Sequence, residues 1–429
     1  MSKNEKNDNG IVQLDEVRKS LQDGKIKAQR AAKKLSSIRN EDRPPVSRAV
    51  LVIGIIVILL LVYVIADLAS GGILSIANGK VVSALTRNSS ERFSVATDAD
   101  NVFAFQSYRS GYVILTENGI TCINSSGNAS SRQQLTYSNP SFDIKGNRVL
   151  VFDRGSDSYS LFRNESFYSQ MSAENDIIDG AVSKKDNYAL AVRDENAKSI
   201  LYGFNGSGKV IYQWNCPDGF ISDVVMNSSG SKVAVTVVNS KNAVLSSKVY
   251  ILDFEYDSAY AEFEYNEEIV IGAEFLTNKR VQVITDKNVY LIKGRDQKVV
   301  YSYGSADICY SAISSSEKLT AIITNDHTHD DYYTLSVFSS NGKLKYSVPV
   351  TGKVMDVAVS DKSVAVLFDH KTETYSKWGK LAGSTQDINY NDEIVINGNY
   401  LFVLSSESVR RFSAYGSTAA VYEYEDETM

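Results

Sequence analysis

The chain has 429 residues, with 45 lysines and arginines against 51 aspartates and glutamates and a net charge of −6 at pH 7. An acidic balance argues against a nucleic-acid partner, and three cysteines are too few, and odd in number, for a disulfide framework. With three histidines and no nucleophile elbow, phosphate-binding loop, dinucleotide fingerprint or zinc-protease helix, nothing indicates a catalytic class or a cofactor.

Residues 1–48 form a basic arm of net charge +5, which leaves −11 for the rest of the chain. Within it Leu14, Val17, Leu21, Gly24, Ala28, Ala31, Leu35 and Ile38 recur at alternating steps of three and four, a heptad seam over about four repeats. Three readings stay open: a homodimeric coiled coil through Leu14, Leu21 and Leu35, a basic amphipathic helix lying on a membrane, and a monomeric helix. Pro44 and Pro45 end the pattern.

Residues 49–66, AVLVIGIIVILLLVYVIA, carry no charge from Ala49 through Leu51 and Leu60 to Ala66. At about 1.5 Å per residue they span roughly 27 Å, close to the ~30 Å hydrocarbon core of a bilayer. Apolarity on all sides argues against a buried core helix, and the length of the preceding arm argues against a cleaved signal peptide. We therefore expect an uncleaved transmembrane signal anchor over 49–68. Arg30, Lys33, Lys34, Arg39, Arg43 and Arg48 precede it and only Lys80 and Arg87 follow closely, so the N-terminus is expected in the cytoplasm and the remainder outside. Residues 69–100 read as a linker, with 80–85 as a candidate ring-closing strand.

The body beyond residue 100 repeats. Short apolar β-type runs occur at 112–115, 149–152, 188–192, 233–238, 281–284, 319–323, 364–367 and 401–404. Their spacing of about 40 residues matches a four-stranded propeller blade. Each run follows another strand and a polar turn, as in VVMNSSGSKVAVTVV, and a third and fourth strand with a glycine-bearing turn follow, as in GFNGSGKVIYQW. Units begin near 102, 141, 177, 221, 269, 308, 354 and 394. The expected fold is all-β, a propeller of seven or eight blades with eight preferred, over 101–424 and ending in an acidic tail at 425–429. Two stacked sandwiches would show no such superperiod.

The turn forms MNSSGSKVAVTVV and FNGSGKVIYQW resemble blade hairpins of the WD40-like and quinoprotein-like propeller superfamily. The Trp-Asp dipeptide of WD40 repeats is absent, as are regularly spaced tryptophans, since only Trp214 and Trp378 occur. The resemblance implies the fold and no particular activity.

Chemistry-bearing residues are sparse. His327, His329 and Asp330 in NDHTHDD place metal-ligand types at short reach, but without a ligand spacing the same residues make a solvated acidic loop. Cys122, Cys216 and Cys309 are expected as buried free thiols. Glu267 and Glu268, like Glu423 and Glu425, read as solvated. Asn-Ser triplets at Asn88, Asn124, Asn128, Asn164, Asn205 and Asn227 read as turn chemistry rather than glycan acceptors. The acidic, aromatic stretch 254–268, with Tyr256, Tyr260 and Tyr265, is the candidate contact edge.

These features favour a non-enzymatic, single-pass membrane protein that displays its propeller outside the cytoplasm as a scaffold for envelope proteins. A receptor for glycan or peptide and a quinone-cofactor or glycan-active enzyme are the alternatives. A channel lined by converging charged groups would speak for the last.

Overall fold

The computed structural model describes residues 94–96 and 101–415, except 196, 197, 242, 243, 315, 317, 330, 387, 389, 390 and 407. The arm, the segment 49–66, the run 80–85 and the C-terminal tail lie outside the described residues. Among the described residues no helix is long and apolar enough to cross a membrane.

The described chain forms eight antiparallel sheets of four strands each. Seven are built from consecutive strands. Their first strands are Val102–Tyr108, Pro140–Lys145, Ile177–Val182, Phe220–Met226, Val270–Thr277, Asp307–Ile313 and Val354–Val359, which begin blades 1 to 7. Blade 8 begins with Asn391–Asn397 and takes its fourth strand from the other end of the chain. That strand is Ser94–Ala96, with Ser94 opposite Arg410, Val95 opposite Val409 and Ala96 opposite Ser408. The protein is thus an eight-bladed β-propeller. The first unit is a complete blade, which excludes the seven-bladed count, and the strand that completes blade 8 is 94–96 rather than the expected 80–85.

The eight apolar runs are the second strand of every blade. Burial explains their legibility: in Gly111–Thr116, Leu319–Asn325 and Ser363–Phe368 every residue is buried, because a neighbouring blade covers each side. A strand covered on both faces can be apolar throughout. Fourth strands such as Ser166–Ser172 and Val210–Asn215 alternate between exposed and covered positions instead.

The core is divided among eight apolar clusters, one in each seam between adjacent blades. The seam that closes the ring joins Phe105, Tyr112 and Ile114 of blade 1 to Phe402, Leu404 and Val409 of blade 8. There Tyr112 packs against both Phe105 and Phe402 at 5.1 Å between ring centres.

Antiparallel strands and short connections give the ring two distinct faces. First-to-second and third-to-fourth hairpins fall on one side, called the lower face, and second-to-third turns and inter-blade connections fall on the upper face. The asparagines expected in turns act there. On the lower face Asn124 Oδ1 accepts from the Ser126 and Asn128 amides, Asn205 Oδ1 from Ser207 and Lys209, and Asn227 Oδ1 from Ser231 and Lys232.

Candidate functional site

The first strands are the innermost, and they are irregular in a repeated way. Seven of the eight carry a β-bulge near the upper end, whose extra residue is Phe103, Ile178, Ser222, Ile271, Cys309, Met355 or Asp392. A bulge re-aims the side chains beside it. In four strands the next residue is a carboxylate: Asp179, Asp223, Asp356 and Glu393. Asp143 and Glu274 add two more inner-strand acids.

Several of these acids lace one inner strand to the next. Asp143 Oδ2 accepts from the Val182 amide at 2.7 Å, Asp179 Oδ2 from Val224 at 2.8 Å, and Asp356 Oδ2 from Ile394 at 2.9 Å. In each case the donor belongs to the following blade. An inner strand has an edge with no further strand to pair, and a carboxylate is a strong acceptor for its amides.

The charges also meet across the axis. Lys145 of blade 2 reaches Glu274 of blade 5 at 2.8 Å, with the lysine side chain 5% exposed. These blades are not neighbours, so the pair closes that side of the channel. Arg154 Nη2 contacts Asp179 Oδ1 at 2.9 Å. On the other side a cavity of about 410 Å³ opens between the inner strands of blades 1, 6, 7 and 8, lined by Gln106, Ala312, Met355, Asp356, Asp392 and Glu393 among others.

Burial raises the acids' proton affinity. It acts first on Asp223, and with repulsion from Asp179, Glu274 and Asp143 pushes its carboxyl up to about 7 against the pull of Arg154. Asp356 rises to about 6 through burial, restrained by the Ile394 and Val357 amides. Glu393 rises to about 7 through burial and then the charges of Asp356 and Asp392. Asp143 and Asp179 are raised by burial as well, with Lys145 and Arg154 opposing. Near neutral pH the channel therefore holds a mixture of carboxylic acids and carboxylates.

The two faces carry opposite charge. Among described loop residues the lower face has eleven cations, Arg109, Lys184, Lys185, Lys209, Lys279, Arg295, Lys318, Lys343, Lys362, Lys377 and Lys380, against the five acids Glu165, Asp186, Glu255, Asp257 and Asp361. The upper face has twelve acids, Glu117, Asp157, Glu174, Asp176, Glu195, Asp218, Glu267, Glu268, Asp286, Asp326, Asp331 and Asp369, against Arg154, Lys287 and Lys353. An upper-face cleft of about 740 Å³ at blades 2 and 3 is lined by Asp157, Glu174, Asp176, Asp194 and Glu195, with Arg193.

The residues singled out from sequence do not form one site. His327 and His329 lie on the upper face, where His327 Nε2 stands 2.8 Å from Asp307 Oδ2 and His329 Nδ1 3.4 Å from the Thr328 hydroxyl. Asp330 lies outside the described residues, and no group of three metal-ligand side chains occurs among those described. Tyr256 is 50% exposed, and Tyr260 lies between Lys232 and Arg295, each about 5 Å from its ring at 4.9 Å and 5.0 Å. Tyr265 is a correction: it is buried at 2% exposure, donating to Gln297 Oε1 and packed on Tyr290, so it belongs to the seam of blades 4 and 5. Cys122 and Cys216 are buried and free, but Cys309, expected to be buried, is exposed because it is the bulged residue of its strand. Glu268 is not a solvated acid either, since it accepts from Thr285, Asn288 and Tyr290. In sequence the channel acids look like any others among the 44 acids of the body. Aligning the units on their first strands would have exposed them, because Asp179, Asp223, Asp356 and Glu393 share one position.

Solved structures share this architecture. The computationally designed Ika8 protein is 10% identical with a TM-score of 0.56, over 74% of this chain and 98% of that one. The C-terminal WD40 domain of Sif2 is 14% identical with a TM-score of 0.51, over 74% and 98%. BamB from Moraxella catarrhalis is 10% identical with a TM-score of 0.47, over 74% and 95%. At such identities the likeness concerns the fold alone. No curated protein matches the sequence significantly. Residues 83–412 match the family of unknown function DUF5711, which covers every blade, and the chain belongs to that family.

Proposed function

We propose that the protein is a single-pass membrane protein whose propeller serves, outside the cytoplasm, as an interaction scaffold for envelope proteins, and that the acidic upper face is the surface offered to them. The opposite charge of the two faces carries this reading. The first strand, Ser94–Ala96, runs upward along blade 8, so its start lies toward the lower face and the next described residue, Asn101, follows on the upper side. Complementary charge steers association and excludes wrong partners, which suits a basic partner surface at the cleft of blades 2 and 3. A photo-crosslinking residue in place of Glu195, above, should capture envelope proteins in intact cells, whereas one in place of Lys209, below, should not. Equal capture from both positions, or none from 195, overturns the reading.

The converging channel charges are the feature expected of the enzyme alternative, and they support the receptor alternative as well, because Asp356 and Glu393 face a cavity that a small cationic group could enter. Under the receptor reading Asp356→Asn with Glu393→Gln abolishes binding of a lysine-containing peptide and leaves capture through position 195 intact. Under the scaffold reading neither changes.

A further inference from the structure

Blades 6 and 7 carry five of the eleven described lower-face loop cations, Lys318, Lys343, Lys362, Lys377 and Lys380. At the third-to-fourth hairpin of blade 7 the Trp378 side chain stands 56% exposed, with Lys345 Nζ 4.8 Å and Lys377 Nζ 5.1 Å from its ring. Leu344 and Leu381, each 43% exposed, begin the outer strands of the same two blades, and Lys343 and Lys380 are exposed beside them. The one acid among the described loop residues of these two lower edges, Asp361, is paired with Lys318 at 2.7 Å. Blade 7 adjoins blade 8, along which the chain enters the ring, and Tyr415 at the exit from the ring donates from its hydroxyl to Ser363 Oγ of blade 7.

An exposed indole on a projecting turn, flanked by leucines and ringed by lysines, has the composition of a bilayer-interface anchor. The ring and leucines enter the headgroup boundary, and lysine stems lie along it with their ammonium groups on lipid phosphates. A protein partner would have to supply a pocket for the turn, whereas a lipid surface deforms around it. We propose that this turn docks the propeller's lower face on the anionic surface of the bilayer beside it, so that tether and patch together hold the upper face outward. The inference rests on the reading of 49–66 as a membrane anchor.

Trp378 is its own reporter, because the only other tryptophan, Trp214, is buried between blades 3 and 4. The full chain is reconstituted in nanodiscs of phosphatidylcholine alone or mixed with phosphatidylglycerol. In the mixed discs Trp378 emission should shift to the blue, be quenched by brominated acyl chains and revert in high salt. Each lysine removed should weaken docking about five-fold. Lys345→Glu with Lys377→Glu should abolish the lipid dependence while thermal unfolding stays unchanged, and Trp378→Phe should remove the signal from a chain that still enters the disc. A chain that enters both discs with identical emission overturns the patch and leaves the anchor reading standing. A chain that enters neither overturns the anchor; phosphatidylglycerol vesicles are then added to it directly, where a shift of Trp378 still supports the patch and no shift overturns it. A blue emission in detergent that turns red on removing residues 416–429 overturns it too, and assigns the patch to the acidic tail with Glu423, Glu425, Asp426 and Glu427.

Discussion

The seams and the channel are both interiors of the ring, yet they are filled in opposite ways. Each seam is packed with apolar side chains, Phe402, Val403 and Leu404 standing at the closing seams with 3% exposure or less. The channel instead collects Asp143, Asp179, Asp223, Glu274, Asp356 and Glu393 with Lys145 and Arg154 at its edge. Burial of apolar surface stabilises, and burial of like charges does the reverse. The difference teaches that blade-to-blade packing holds the ring closed, while the channel draws on that stability to keep groups that a purely structural core would lack.

Removing a seam residue gives the largest expected effect. Phe402→Ala deletes a fully buried ring that packs on Tyr112 where the first and last blades meet, and should lower unfolding stability by about 3–5 kcal/mol by urea titration, equally at pH 5 and pH 8. A loss below about 1 kcal/mol would mean that the closing seam is not what holds the ring. Lys145→Met tests the channel instead. It leaves Glu274 and Asp143 without their shared cation, and the expected loss is about 2–4 kcal/mol at pH 8. At pH 5 the loss should shrink, because Asp143, whose carboxyl burial raises and Lys145 holds down, can then take up a proton. Lys145→Met combined with Glu274→Gln should recover part of it, and a loss independent of pH would assign Lys145 a packing role.

The same contrast explains what could be read from sequence. Second strands are covered on both sides, so runs such as 364–367 stand out in an otherwise mixed chain, and their period gave the blade count and nearly every blade start. Asp179 and Asp223 were illegible for the converse reason. A buried acid looks like a surface acid until its strand is placed, and the bulge that aims it leaves no composition signal. Cys309 and Tyr265 changed places relative to expectation by the same logic: one residue of register separates a bulged, exposed position from a seam, and β-type patterning does not resolve one residue. The charge polarity of the faces required the loop order of all eight blades, which only the closed ring supplies.

The smallest effect has the opposite sign to the others. Among the described residues no following-blade amide serves Asp223 as Val224 serves Asp179 and Ile394 serves Asp356, and burial with the neighbouring acids pushes its carboxyl up to about 7 in the folded ring against about 4 in an unfolded chain. Between those values the folded state holds the extra proton, so this group favours folding fully below about pH 4, and its contribution is lost as pH rises through 7. The Asp356 and Glu393 shifts, to about 6 and about 7, add slopes of the same sign. The unfolding midpoint should therefore fall between pH 5 and pH 8. Asp223→Asn removes the titration and should raise stability at pH 8 by on the order of 1–2 kcal/mol, discounted for water in the channel, with about a third of that gain at pH 5 and almost none below pH 4. A variant less stable than the parent at pH 8 would show that the carboxylate is held there by an attractive partner, and would place Asp223 with the lacing acids rather than against them.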